Sequence, residues 1–164
     1  MNTKEKVLVH KGMDMVRRMQ YEEAVAIFDR VLGMNDQIPE AWNNKGVALF
    51  RLGREDEAIE CCDRALAIDN DNLEALRNKG FILRSQGKLD EAILCYGTLL
   101  QKGGEATDIE SMATVFVAMG RLDEALDCMY QAMETTPMER FEEEIVVLKS
   151  MILERDGLIP QGQK

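Results

Sequence analysis

A chain of 164 residues, 46% hydrophobic, 30% charged and only 5% aromatic, has the make-up of one globular domain with enough apolar residues to bury a core. A formal net charge of −10 at pH 7 argues against non-specific nucleic-acid binding, which needs clustered Lys and Arg to displace counterions, and against docking on anionic lipid. The opening MNTKEKVLVHKGMDM lacks the apolar run and cleavage site of a secretion signal, and no apolar run approaches the length of a membrane span, so the sequence reads as soluble and cytoplasmic.

A first helix is expected from Asn2 or Thr3 to Arg18, with Thr3 able to cap it. Met19 then stands where later units carry glycine, so this turn is expected to differ slightly in geometry before a second helix, Tyr21 to Leu32. Pro39 opens the next helix, in the first turn where proline is tolerated. Residues 39–72 set the pattern, with Trp42, Gly46, Leu49, Gly53, Ala58, Cys62 and Ala65 marking two amphipathic helices around a tight turn. Gly53 belongs at that turn because a helix often ends in a left-handed residue, and Asp56 with Glu57 suits the start of the helix that follows. Gly46 and Ala58 are small enough for the two helices to cross closely.

A third unit begins near Leu73, after the polar loop Asp69 to Asn72, and runs to the Gly103–Gly104 pair. In the fourth, Ile109, Ala113, Phe116, Gly120, Ala125, Met129 and Ala132 hold the pattern positions; its first helix lacks the Trp and the glycine, and a looser junction is expected there. After Pro137, one more helix runs from Glu139 to about Arg155 with Phe141, Ile145, Leu148 and Ile152 as its apolar stripe, stopped by Gly157 and Pro160 and followed by a loosely ordered tail, 157–164.

The units are copies of one another. Gly46 is matched by Gly12 and Gly80, Gly53 by Gly87 and Gly120, and Ala58 by Ala24, Ala92 and Ala125, at a nearly constant 34-residue interval. This spacing, with W-x-x-x-G, then G, then A, then A, resembles the tetratricopeptide repeat, and NNKG, RNKG, GREDEA and GKLDEA resemble repeats common in methanogen archaea. The resemblance implies an all-α fold, a right-handed α-solenoid of four helix-turn-helix repeats (5–38, 39–72, 73–105 and 106–138) with a C-terminal capping helix (139–156), forming a single domain over 1–164.

Catalytic, metal and cofactor readings find little support. Cys61, Cys95 and Cys128 recur at the repeat interval, not at the two-to-four-residue spacing of a zinc site, and hairpins packed about 10 Å apart hold them beyond disulfide reach. They read, with Cys62, as small apolar residues of a reducing compartment. His10 has no nucleophile paired with it through any motif, the carboxylates fall at helix starts and exposed faces, and no glycine-rich phosphate loop is present. The chain is therefore expected to be no enzyme, to hold no metal and to need no cofactor. Met112, Met119, Met129, Met133 and Met138 read as core filling in preference to a binding surface.

In the family, the first helices of the repeats line the concave groove. Carrying those positions over gives a candidate peptide-binding groove of Met13, Arg17, Asn43, Asn44, Val47, Phe50, Arg51, Arg77, Asn78, Phe81 and Arg84, together with Val9, His10, Val16 and Ser85. Asn44 and Asn78, one period apart, resemble the asparagine ladder with which O-linked N-acetylglucosamine transferases hold a peptide backbone; the amide suits that task because it both donates and accepts. The arginines would make the groove basic inside an acidic protein, and the implied partner is a protein or peptide segment with acidic and apolar side chains. The clamp of chaperone-binding members, matched here by Val9, Met13, Asn44, Glu74 and Asn78, agrees only at Asn44. Lys11, Lys45 and Lys79 replace the family's leucine beside the glycine, with stems able to cover the interface and ammonium groups able to pair with nearby acids. A rival expectation is a homo-oligomer formed through the last repeat and the stripe of the C-terminal helix.

Overall fold

The structure, a computed structural model, describes residues 1–158. Among these are nine α-helices and no strand: α1 (Thr3–Arg17), α2 (Tyr21–Met34), α3 (Pro39–Arg51), α4 (Glu55–Ile68), α5 (Leu73–Ser85), α6 (Leu89–Gln101), α7 (Ala106–Ala118), α8 (Leu122–Thr135) and α9 (Glu139–Arg155). The all-α helical repeat expected from the spacing is present. Pro160 and the rest of the expected tail beyond Leu158 lie outside the described residues. Contacts divide the chain into two compact units, Met1–Lys88 and Leu89–Lys164, with the boundary between the two helices of the third expected repeat.

In the first unit, α1 is capped by Asn2 and not by Thr3. The Asn2 side-chain oxygen accepts from the Glu5 N–H at 2.9 Å while a Glu5 carboxylate oxygen accepts from the Asn2 N–H at 2.6 Å, so two otherwise orphaned donors are satisfied reciprocally. The turn that follows corrects a second expectation. Met19 takes the left-handed conformation (φ 61°) that Gly53 takes in the next hairpin (φ 77°), and the hydrogen bonds are the same: Gln20 N–H to the Met15 carbonyl and Arg54 N–H to the Leu49 carbonyl, both at 2.9 Å. Helix pairing on either side holds the turn in its shape although methionine lacks glycine's freedom there.

The core of this unit gathers Val9, Ala24, Phe28, Val31, Ala41, Leu49, Ala58 and Cys62. A Cβ on Gly46 would stand 3.1 Å from the Ala58 carbonyl oxygen and 3.3 Å from Cys61 Cβ, which is why the crossing of α3 over α4 requires glycine. Gly12 meets the ring of Phe28 in the same way, at 2.7 Å from an added Cβ. Two lysines bind adjacent hairpins together: Lys45 Nζ pairs with Asp29 at 2.6 Å, and one period later Lys79 Nζ pairs with Asp63 at 2.6 Å.

The second unit packs α6 on α7, α7 on α8 and α8 on α9. Ala113 takes the place of the crossing glycine in α7 and is buried, as are Phe116, Ala125, Met129 and Ala132. Phe141, Ile145 and Leu148 of α9 are buried in the same cluster with Ile152 packed against it, so the stripe is spent inside the unit as a capping helix requires. Met129 is core and Met112 and Met133 pack against it, as expected of methionine filling irregular space. Met138 is exposed.

Candidate functional site

Within the first unit α1 packs on α3 and α3 on α5, so the first helices of successive hairpins form a continuous layer. Most of the candidate residues fall on this layer, but not all with the freedom the sequence implied. Val9 is fully buried in the core and is no surface residue. Met13 and Val16 are half-buried and pack against the same cluster, whereas His10 and Arg17 are exposed.

The asparagines are wired differently from a ladder. Asn43 is only 8% exposed and its side-chain oxygen accepts from Asn78 Nδ2 at 2.9 Å, tying α3 to α5. Asn44 Nδ2 donates at 2.8 Å to the carbonyl oxygen of Glu40 in its own helix. Each amide keeps capacity for a further partner: the Asn44 oxygen, for example, is a free acceptor in this set of bonds. Sequence spacing singled out Asn44 and Asn78 as equivalents, but the bonded pair is Asn43 with Asn78, a contact of 35 residues' separation that the repeat interval does not mark.

The arginines divide into two classes. Arg17 pairs with Asp14 at 2.9 Å and Arg77 with Glu74 at 2.6 Å, each along its own helix, so these two add little positive field. Arg51 is exposed at the end of α3, and the Arg84 guanidinium lies 5.2 Å from the centre of the Phe81 ring. Phe81 in turn meets Phe50 edge-to-face, with ring centroids 5.3 Å apart and planes at 80°, and remains 42% exposed. Val47 is half-buried one turn before Phe50 on α3.

The layer is therefore polarised along its helices. Toward the N-terminal ends of α3 and α5 a depression of about 310 Å3 is lined by Met13, Glu40, Asn43, Asn44, Asn72 and Glu74, and is polar to acidic. Toward the C-terminal ends lie the two phenylalanines with Arg51 and Arg84. The groove expected to be basic throughout is basic at one end only, because the carboxylates at the helix starts face it too. An acidic first turn favours the helix dipole, and that preference sets the sign of this end.

Among the described residues no cluster of three or more His, Cys, Asp or Glu is close enough to hold a metal ion. None of the four cysteines is in a disulfide; burial pushes the Cys61 thiol up to about 11 and the Cys128 thiol likewise to about 11, which leaves these two protonated and poorly nucleophilic at neutral pH. No described helix is long and apolar enough to cross a membrane.

Comparison with known proteins agrees with this architecture. The family model for the tetratricopeptide repeat matches residues 39–72. No curated protein matches the sequence. Among solved structures, MamA residues 41 to the end from Desulfovibrio magneticus RS-1 superposes with a TM-score of 0.82 at 18% identity, over 96% of this chain and 90% of that one. YrrB, described as a tetratricopeptide protein with an unusual peptide-binding site, gives 0.70 at 21% identity, over 79% and 68% of the two chains. The first tetratricopeptide domain of Spaghetti (RPAP3), solved bound to the HSP90 peptide SRMEEVD, gives 0.68 at 23% identity, over 71% and 94%. Residues 39–72 thus match a tetratricopeptide repeat, and the chain shares the helical-repeat fold of these structures.

Proposed function

We propose that this protein is an interaction scaffold, without catalytic activity, whose first unit holds a protein or peptide segment against the layer of α1, α3 and α5. The observation that carries the reading is the Phe50–Phe81 pair with Arg84 over the Phe81 ring: an aromatic cluster left partly open to solvent beside a cation, with the exposed Arg51 next to Phe50 in the chain. Exposed aromatic surface beside arginine is the composition of interface hot spots. The segment it suits carries apolar side chains for the phenylalanines and carboxylates for Arg51 and Arg84. Asn44, with an unused acceptor, is placed to hold a backbone N–H of the same segment. Four cysteines outside any disulfide fit a reducing compartment, and we place the scaffold in the cytoplasm.

Two of the solved structures carry peptide-binding descriptions, but the chaperone clamp does not transfer to this chain. Its matching positions offer a buried Val9, the carboxylate of Glu74 and the amide of Asn78 where cations are needed, and Met13 in place of an asparagine. Capture of an acidic segment here should therefore be indifferent to whether its C-terminus is a free carboxylate or an amide.

The test is an affinity capture of lysate proteins by the full chain beside the variant Phe81→Ser/Arg84→Gln, followed by direct titration of any acidic-apolar segment identified. At least a tenfold loss of affinity is expected in the variant, with a thermal midpoint within about 2 °C of wild type because Phe81 and Arg84 are largely outside the core. Equal binding by the variant sinks the reading. Self-association is the second reading: Phe141, Ile145 and Leu148 are consumed within the second unit, which leaves the exposed Val146 and Leu153 of α9 for it. A mass by light scattering that halves on Val146→Asp would establish that reading instead.

A further inference from the structure

The second unit holds a depression of about 350 Å3 between α7 and α9, with Met129 of α8 at its base. Val117, Val147 and Met151 form its apolar walls, and Val147 is 58% exposed, an uncommon degree for an aliphatic side chain beside a cavity. The volume lies at the lower end of the range of about 300–1,000 Å3 typical of ligand sites, room for a few apolar side chains. Glu143 and Glu144 complete the lining. Neither carboxylate forms an ion pair among the described residues, and the guanidinium that acts on Glu144 from a distance, that of Arg140, is engaged with Glu110 of α7 at 2.5 Å.

We infer that this depression is a second docking site, for a protein segment that inserts aliphatic side chains between α7 and α9 and sets Lys or Arg against Glu143 and Glu144. The occupant is opposite in charge to the one proposed for the first unit. The sign follows from the rim: an acidic or neutral segment would bury the Glu144 carboxylate against apolar surface without a counter-charge, whereas a cation replaces the water that carboxylate loses. The Glu144 carboxyl already shows the strain of its position, since burial first and the Glu110 charge second raise its pKa against the opposing pull of Arg140. A bound cation would reverse that shift.

The site is independent of the phenylalanine cluster, which lies in the other compact unit, and the test keeps the two readings apart. A fluorescein-labelled dodecapeptide of Leu and Lys is titrated into the full-length protein in 0.15 M NaCl, beside counterparts with every Leu replaced by Ser and with every Lys replaced by Glu. Binding of the Leu/Lys peptide is expected, with at least tenfold weaker binding of both counterparts. Glu143→Gln/Glu144→Gln should weaken it tenfold or more, and Val147→Ser severalfold. Glu22→Gln/Glu23→Gln, which removes the same charge from the exposed start of α2, should change it less than twofold, as should Phe81→Ser/Arg84→Gln. No binding of the Leu/Lys peptide overturns the inference. So does equal binding of the Ser counterpart, or an equal loss in the α2 variant, since either would mean attraction to the net charge of −10 alone.

Discussion

Met19 occupies a left-handed turn position at φ 61° with its side chain 75% exposed, so it contributes no packing to offset the conformation it is held in. A non-glycine residue there costs about 1–2 kcal/mol, while the greater freedom of glycine in the unfolded chain returns about 0.5–1 kcal/mol of that. The difference favours glycine. Met19→Gly should raise the thermal midpoint by about 2–4 °C, and Met19→Ala, which keeps the Cβ, should not; a midpoint lowered by glycine would show that the methionine makes a contact of its own. The same residue shows how far sequence alone reaches. The repeat marks position 19 as a turn, but a missing glycine reads as a changed geometry, because nothing local in the sequence reveals that α1 and α2 hold the backbone in place. Asn43 illustrates the converse. Its burial and its bond to Asn78 depend on the approach of α3 to α5, which spacing within one helix does not contain.

At the scale of elements, two of the three lysines at the former leucine positions, Lys45 and Lys79, pair with the preceding hairpin as the sequence implied, whereas Lys11, in the first helix, is exposed and has no hairpin before it. Asp29 and Asp63, 16 residues before Lys45 and Lys79, are the partners, and that interval was available in the sequence as a second period alongside the glycines. The pattern ends in the fourth repeat, where Met112 replaces the lysine. Lys79 is three-quarters buried in its side chain but Asp63 is about half exposed, so solvent screens the pair. A double-mutant cycle of Lys79→Met and Asp63→Asn should return a coupling of less than about 1 kcal/mol, falling further in 0.5 M NaCl. A coupling above about 2 kcal/mol would mark the pair as a structural requirement. Between α7 and α9 the electrostatics run the other way. With its folded pKa raised above the ordinary 4.5, Glu144 contributes its full stability below pH 4.5 and loses it as pH rises through the raised value. Glu144→Gln should therefore unfold at higher urea than wild type at pH 7, and that advantage should vanish at pH 4. An advantage of the same size at both pH values would trace it to packing.

For the whole molecule, the 34-residue period was enough to read helix number, order and core positions, since each is fixed by how one helix crosses its neighbour and small residues mark the crossings. It could not show the division into two compact units, because the third repeat, which the boundary between α5 and α6 divides, carries the same crossing residues, Gly80 and Ala92, as the repeat before it carries in Gly46 and Ala58. Each unit has its own buried cluster, and the single tryptophan, Trp42, reports only on the first. In a protein whose stability is a sum over repeats and the interfaces between neighbours, damage confined to one unit should be felt there before it is felt elsewhere. Gly46→Val supplies such damage, because even its Cβ would meet the Ala58 carbonyl oxygen at 3.1 Å and the two methyls add to the overlap. Overpacking of this kind costs about 1–3 kcal/mol. In the variant, the urea midpoint read by Trp42 fluorescence should fall below the midpoint read by far-UV circular dichroism, which averages over the helices of both units; Ala125→Val, at a fully buried position of the second unit, should leave the fluorescence midpoint nearer that of wild type. Coincident midpoints in both variants would mean that coupling across the boundary exceeds the damage, and that the chain unfolds as one cooperative whole.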